Sequence, residues 1–550
     1  MKKLTLAVIM LLFLLTTAPT FAQEGATVTL LHFSDYHSHA VPFYAEGQAN
    51  AAGLARAIAY LKPFANDPNA LVFNGGDMLN VGATAWSDKY QCAEWSWFNG
   101  LTDAMAFGNH DADYGPETFA ACQAQIDYPI LSSNVLGADG QPLFQYDGKT
   151  YQIFQVNGVK IGVFAVAGPD FERLVKPEVR PVAGATFSDP VEVTQEVVKA
   201  LREQEQVNAV VMIGHGLYED NIALAQAVPG IDVIFGTHSH RKEELTQLPD
   251  TNTFYISPFQ YLTYVSQVEL TFDNGMLTNV SGKLVQMSRD LPEDPVIAQQ
   301  VNQMQAELEA DPEYAALFEP MGEATIELST TSQFEGEGLL GNFAMDIFRE
   351  RAQAHMALST ASAFRQPIPP GTITEEILRS AMPYPNKIFV FAMSGARVEE
   401  LLNYGISRKE SDFFPQVSGV RFNIVDDQAT NIQILADPAN PAAGYSSLDP
   451  TATYQVATSD FVGLYAGGYK DIFGQATYTD TGLEIREEIR QYLRANSPVT
   501  AQLDGRITVG AAAPAELPVS GGTTPVPWTI PTLGFCLIVL GLAARRRVQR

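Results

Sequence analysis

Five short segments carry acidic, amide and imidazole side chains in an order that suits metal chemistry. They are Ser34-Asp35-Tyr36-His37, Asn74-Gly75-Gly76-Asp77, Gly108-Asn109-His110-Asp111-Ala112-Asp113, Ile213-Gly214-His215-Gly216 and Gly236-Thr237-His238-Ser239-His240. The donors on offer are Asp, His, Asp, Asn, His, His and His. Mixed oxygen and nitrogen donors suit Mn, Fe, Zn or Co better than Mg or Ca. A carboxylate shared between two ions holds them about 3.5–4 Å apart, the spacing of bimetallic phosphate-ester hydrolysis. A single His or Asp is ordinarily a cap or a satisfied polar group, and Gly-Gly-Asp alone is a turn signal. The ordered set is different: the chain has only eight His, and five of them lie in these segments.

Each segment follows a short apolar run, at 28–33, 70–73, 104–107, 209–213 and 231–235. Such runs read as buried strands. The polar residues then fall at strand ends, where open α/β sheets bind their ligands. Helical patterns at 51–61 and 191–203 alternate with the strands, which predicts sheets flanked by helices. The segment 295–318 reads as an interdomain helix with the apolar stripe Val301, Met304 and Leu308, the alternative being the last helix of the first domain.

The order Asp-x-His, Gly-Gly-Asp, Gly-Asn-His-x-x-Asp, a later His and Gly-x-His-x-His resembles the calcineurin-like metallophosphoesterases. It is most similar to the 5'-nucleotidase family, which includes 2',3'-cyclic nucleotide phosphodiesterases. The resemblance runs from about 27 to about 509. It implies a mixed α/β chain: a four-layer α/β/β/α metallophosphoesterase sandwich over 27–291, a linker at 292–324 and a second α/β, substrate-binding domain over 325–510. It implies two divalent ions, of Mn, Zn, Co or Fe. Asp35, His37 and His240 would hold one, Asn109, His215 and His238 the other, and Asp77 would bridge. His110 would act on the phosphoryl group or the leaving group, with Asp113 fixing its tautomer.

The second half carries the family's landmarks more loosely. Leu340-Gly341-Asn342-Phe343-Ala344-Met345-Asp346, Pro383-Tyr384-Pro385-Asn386, Met393-Ser394-Gly395-Ala396 and Phe414-Pro415-Gln416-Val417-Ser418-Gly419 fall in the expected order. The resemblance implies a nucleoside whose base is sandwiched by Phe414 and Phe461, the alternative being two core residues. Arg365, and less directly Arg408, would clamp phosphate. Two loops depart from the family: Thr360-Ala361-Ser362-Ala363-Phe364-Arg365 keeps only the Arg, and Tyr465-Ala466-Gly467-Gly468-Tyr469 lacks an Asp that contacts ribose.

The net charge of −28 excludes nucleic-acid polymers as partners and fits a soluble exported protein. Met1-Lys2-Lys3, an apolar stretch and Thr20-Phe21-Ala22 read as a leader over 1–22. Residues 511–527 read as a Pro/Gly/Ala linker holding Leu517-Pro518-Val519-Ser520-Gly521, a variant of a sortase signal. The apolar segment 528–550 with Arg545-Arg546-Arg547 reads as a membrane anchor or sorting segment, leaving a monomeric enzyme at the cell surface. Cys92 and Cys122 would be exported, which predicts a disulfide or, alternatively, two buried thiols. The activities compatible with these motifs are 5'-nucleotide hydrolysis, 2',3'-cyclic phosphodiester hydrolysis and sulfur-ester hydrolysis of the thiosulfohydrolase type. A non-catalytic surface binding protein predicts broken ligand positions, and none is broken.

Overall fold

Period-two alternation along the apolar runs sorts the first domain into layers. The computed structural model describes residues 25–510 apart from Ala83 and Glu410. Its strand Ala26–Phe33 sends Val28 and Leu30 to one face, Leu31 and Phe33 to the other. Ala70–Asn74 divides Leu71 and Phe73 from Val72. Ala209–His215 divides Val211 and Ile213 from Val210 and Met212. The shared face is a core between two six-stranded sheets. The helices Leu54–Ala65 and Pro295–Ala310 cover one outer face, and Pro190–Lys199 and Tyr218–Ala227 cover the other. The layers therefore run α/β/β/α.

Within each sheet the strands that lead into the motifs are parallel. Ala26–Phe33, Ala70–Asn74 and Ala104–Ala106 run together in one sheet. Val159–Ala167, Ala209–His215 and Val233–Gly236 run together in the other. Their C-terminal ends deliver the polar loops to one place.

Pro295–Ala310 starts on Asp294, whose carboxylate accepts from the amides of Val296 and Ile297 at 3.0 and 3.1 Å, with Pro at the first helical position. Its buried Val301 and Leu308 join the outer core of the first domain. An amphipathic stripe must be buried somewhere, and Leu54–Ala65 lies next to it.

The second domain is built on a mixed five-stranded sheet, ordered Pro415–Ser418, Met356–Thr360, Thr453–Ser459, Lys387–Ser394, Thr477–Glu484. Apolar cores cover both faces. The landmark at 340–346 opens the helix Leu339–Arg351, which buries Leu340, Phe343, Ala344 and Ile347.

Cys92 and Cys122 form no disulfide; both are free and buried. The thiols are hydrogen-bonding neighbours, and the Gln125 amide donates to Cys92 Sγ at 3.3 Å, so both sulfurs are accommodated reduced. The segments 1–22, 511–527 and 528–550 lie outside the described residues. Among the described residues no helix is long and apolar enough to cross a membrane.

Candidate metal centre

Five of the predicted donors sit on backbone that L-residues rarely adopt. φ is +49° at Asp35, +48° at His37, +55° at Asp77, +66° at His238 and +49° at His240. Such conformations cost on the order of 1–3 kcal/mol each and persist where surrounding structure over-determines them. Here the loops brace one another: the amide of Asp35 donates to Gly76 O at 3.1 Å and that of His37 to Asp77 O at 3.0 Å. Close approach demands glycine. A Cβ on Gly75 would lie 2.3 Å from Ser34 Oγ, and one on Gly108 would lie 2.2 Å from Asp77 Oδ1.

Two sets of ligand atoms result. Those of Asp35, His37, Asp77 and His240 lie within 4.8 Å of one another, as do those of Asp77, His215 and His238. Asp77 belongs to both. Its Oδ2 is 3.3 Å from His215 Nε2 and 3.7 Å from His37 Nε2. Nε2 of His37 and of His240 are 3.0 Å apart. Nδ1 of His37 faces Leu79 O at 2.8 Å and Nδ1 of His215 faces Gly75 O at 2.7 Å. A carbonyl only accepts, so each Nδ1 carries a proton and Nε2 is the ring nitrogen turned to the ligand set. Asn109 Oδ1 is buried without a hydrogen-bond partner. Orphaned buried acceptors cost about 1–3 kcal/mol, which a cation would repay. The residues present fit divalent-metal binding, with Asp77 standing in both ligand sets.

The protein's own charges are concentrated on the same cluster. Burial alone raises the Asp77 carboxyl, but His215, His110 and His37 outweigh it and hold it well below the usual range. Burial pulls His215 down, yet Asp77 lifts it to about 9. Burial holds His37 and His240 far below ordinary imidazole values, and Arg365 adds to the drop at His240.

His110 stands outside both sets. Its Nδ1 is 2.8 Å from Asp113 Oδ2, and its amide donates to Asp77 Oδ1 at 2.8 Å. Burial lowers this imidazole, but Asp113 and Asp77 prevail and lift it to about 10.

The second domain reaches the centre through Arg365, which donates to His240 Nδ1 at 2.5 Å and to Tyr384 Oη at 2.9 Å. Arg408 instead pairs with Glu219 of the first domain at 2.7 Å. Phe461 is half-buried against the second domain's core. Phe414 needs correction as a stacking ring. It is 0% exposed within that core, and its carbonyl accepts from the Ala361 amide at 2.8 Å. A ring with no open face cannot take a base. Its neighbour Phe413 is half-buried, with the Arg408 guanidinium 5.7 Å from its ring centre.

Three further side chains join the site without having been singled out from sequence. Asp111 accepts from the amides of Met78 and Gly108, each at 2.7 Å, and of Asp77 at 3.2 Å, tying two ligand loops together. Its place inside the Gly-Asn-His run was the available signal. Tyr384 lies in the Pro-Tyr-Pro-Asn landmark. Asp170, 3.3 Å from His238 Nε2, follows no motif.

Comparison with known proteins agrees with this geometry. Residues 28–242 match the calcineurin-like phosphoesterase model, and residues 320–475 match the 5'-nucleotidase C-terminal domain. The chain is 25% identical to a 5'-nucleotidase of Vibrio cholerae over 87% of its own length and 92% of the relative's. It is also 25% identical to the trifunctional nucleotide phosphoesterase protein YfkN of Bacillus subtilis, of which it spans 35% while 87% of this chain is covered. A crystal structure of a 5'-nucleotidase precursor from Thermus thermophilus superposes with a TM-score of 0.70 at 26% identity, covering 88% of this chain and 99% of that one.

Proposed function

The chain belongs to the family that joins a calcineurin-like phosphoesterase domain to a 5'-nucleotidase C-terminal domain, and from that premise we propose that it is an exported 5'-nucleotidase. The class is a metal-dependent phosphoric ester hydrolase. The observation that carries the reading is Asp77 standing in both ligand sets while Arg365 arrives from the other domain on ligand His240.

Asp35, His37, Asp77 and His240 would hold one divalent ion, and Asp77, Asn109, His215 and His238 would hold the other. When bound, the ions supply Lewis acidity to the phosphoryl group and lower the pKa of water. His110, with Nδ1 fixed by Asp113, presents Nε2–H to a phosphoryl oxygen or to the leaving 5'-oxygen. Arg365 clamps the phosphate from the second domain. Phe461 and Phe413 offer the base its stacking faces. The leader and the apolar tail of the sequence support export and attachment at the cell surface.

The test is a substrate panel on the purified chain, with Mn, Zn, Co or Fe added after chelation: 5'-nucleotides, 3'-nucleotides, 2',3'-cyclic nucleotides and an aryl phosphate. The reading predicts the highest kcat/KM for a 5'-nucleotide. A cyclic nucleotide in first place would replace it with a phosphodiesterase. Absence of hydrolysis with every metal would overturn it.

A further inference from the structure

His238 is oriented differently from the neighbouring histidines. His37 and His215 are held by backbone carbonyls on Nδ1, so each offers Nε2. In His238 it is Nε2 that meets a partner, Asp170 Oδ2 at 3.3 Å. A carboxylate only accepts, so Nε2 carries the proton and Nδ1 is left with the lone pair. The His238 amide is engaged separately, donating to Asp35 Oδ1 at 3.0 Å. That fixes the backbone but not the ring. Among the described residues, the ring's hydrogen-bonding contact is with Asp170.

Asp170 is placed as if for another task. It precedes the helical turn Phe171–Leu174, at the N-cap position, where an Asp ordinarily accepts from the first helix amides. Its side chain makes no cap bond. Oδ1 is buried without a hydrogen-bond partner, and the Arg173 guanidinium stays at 3.9 Å from Oδ2. The carboxylate thus makes no helix-cap bond and turns Oδ2 to His238. The segment carrying it is tied to the same sheet end as His215: the Gly168 amide donates to His215 O at 2.7 Å. A Cβ at Gly168 would lie 2.9 Å from Gly216 Cα, so the two loops are in close contact.

We propose that Asp170 is a positioning residue for the second metal site: it holds His238 with Nε2 protonated, so that Nδ1 is the ligand atom there. This rests on the two-metal reading above. A carboxylate behind a ligand His fixes its tautomer and ring, and losing it typically costs 10–100-fold in metal affinity.

The experiment is titration of the chelated full chain with Mn²⁺, counting free ion by electron paramagnetic resonance, for the parent, Asp170→Ala and Asp170→Asn. The parent should bind two equivalents. Asp170→Ala should bind the first as the parent does and the second about 10–100-fold more weakly. Asp170→Asn, whose amide oxygen still accepts from Nε2–H, should recover most of that loss. An alanine variant that binds both equivalents like the parent overturns the proposal, as does an asparagine variant no better than alanine. So does equal weakening of both equivalents with a fall in Tm, which marks a general structural role. A parent that binds fewer than two ions overturns the two-metal reading itself, independently of the variants.

Discussion

The guanidinium of Arg365, on the second domain, donates to Nδ1 of His240, on the first, at 2.5 Å. With Nδ1 accepting, the proton of a neutral His240 sits on Nε2, which faces His37 Nε2 at 3.0 Å. For His240 to offer Nε2 to an ion, the proton must move to Nδ1, and two donors then confront each other. An ion held through Nε2 would therefore break this contact, which would leave Arg365 free for a phosphoryl oxygen. Arg365→Ala should leave ion affinity unchanged or tighter while raising KM for a phosphate ester, on the order of 10-fold or more for loss of a charge-assisted bond. Metal titration beside steady-state kinetics checks this. Weaker ion binding in the variant would contradict it.

His110 lies outside both ligand sets, with Asp113 Oδ2 at 2.8 Å from its Nδ1. His110→Ala should retain the parent's metal content by elemental analysis and lose about 10²–10⁴ in kcat. Asp113→Asn should lose less, because the ring remains and only its orientation and charge partner change. A drop in metal content would make His110 a ligand.

Phe414 and Phe413 should separate cleanly. Phe414 is fully buried in the second domain's core, so Phe414→Ala should cost about 3–5 kcal/mol of stability and depress all substrates together. Phe413→Ala and Phe461→Ala, at half-buried rings, should lower Tm much less than Phe414→Ala. Each should weaken nucleotide binding by roughly 1–3 kcal/mol and spare an aryl phosphate. Denaturant melts and KM values for both substrate types decide it.

Glu94 makes stability depend on pH. It is fully enclosed, accepts from Tyr36 Oη at 2.7 Å, and burial raises its carboxyl from 4.5 to about 8. Between those values the unfolded chain has released a proton that the folded chain still holds. Its contribution is complete below about 4.5 and is lost as pH rises to about 8, at up to about 1.4 kcal/mol per pH unit. Glu94→Gln should remove this slope, so variant and parent should diverge progressively from pH 5 to 8 and run parallel above that. Parallel curves across the whole range would show that Glu94 is ionised in the fold.

The metal loops were legible because their residue types are rare and ordered, and because each follows an apolar run that must be a strand. The layers were legible for the same reason: Val28 and Leu30 alternate with Leu31 and Phe33. What sequence could not give was direction. Phe413 and Phe414 are adjacent and identical, and only the packing of the second domain decides which is enclosed. Asp170 lies 68 residues from His238, and no spacing announces a contact that arises where two loops cross. The thiols of Cys92 and Cys122 are close enough to interact, yet proximity does not dictate a bond.

The claim that Asp77 bridges two ions needed for nucleotide hydrolysis is tested most directly by titrating the chelated chain with metal while following phosphate release from a 5'-nucleotide. The account predicts no turnover in the chelated chain, little with the first equivalent, and full activity with the second. Asp77→Asn should fail to recover at any stoichiometry. Turnover that survives chelation, or that saturates at one equivalent, would contradict it.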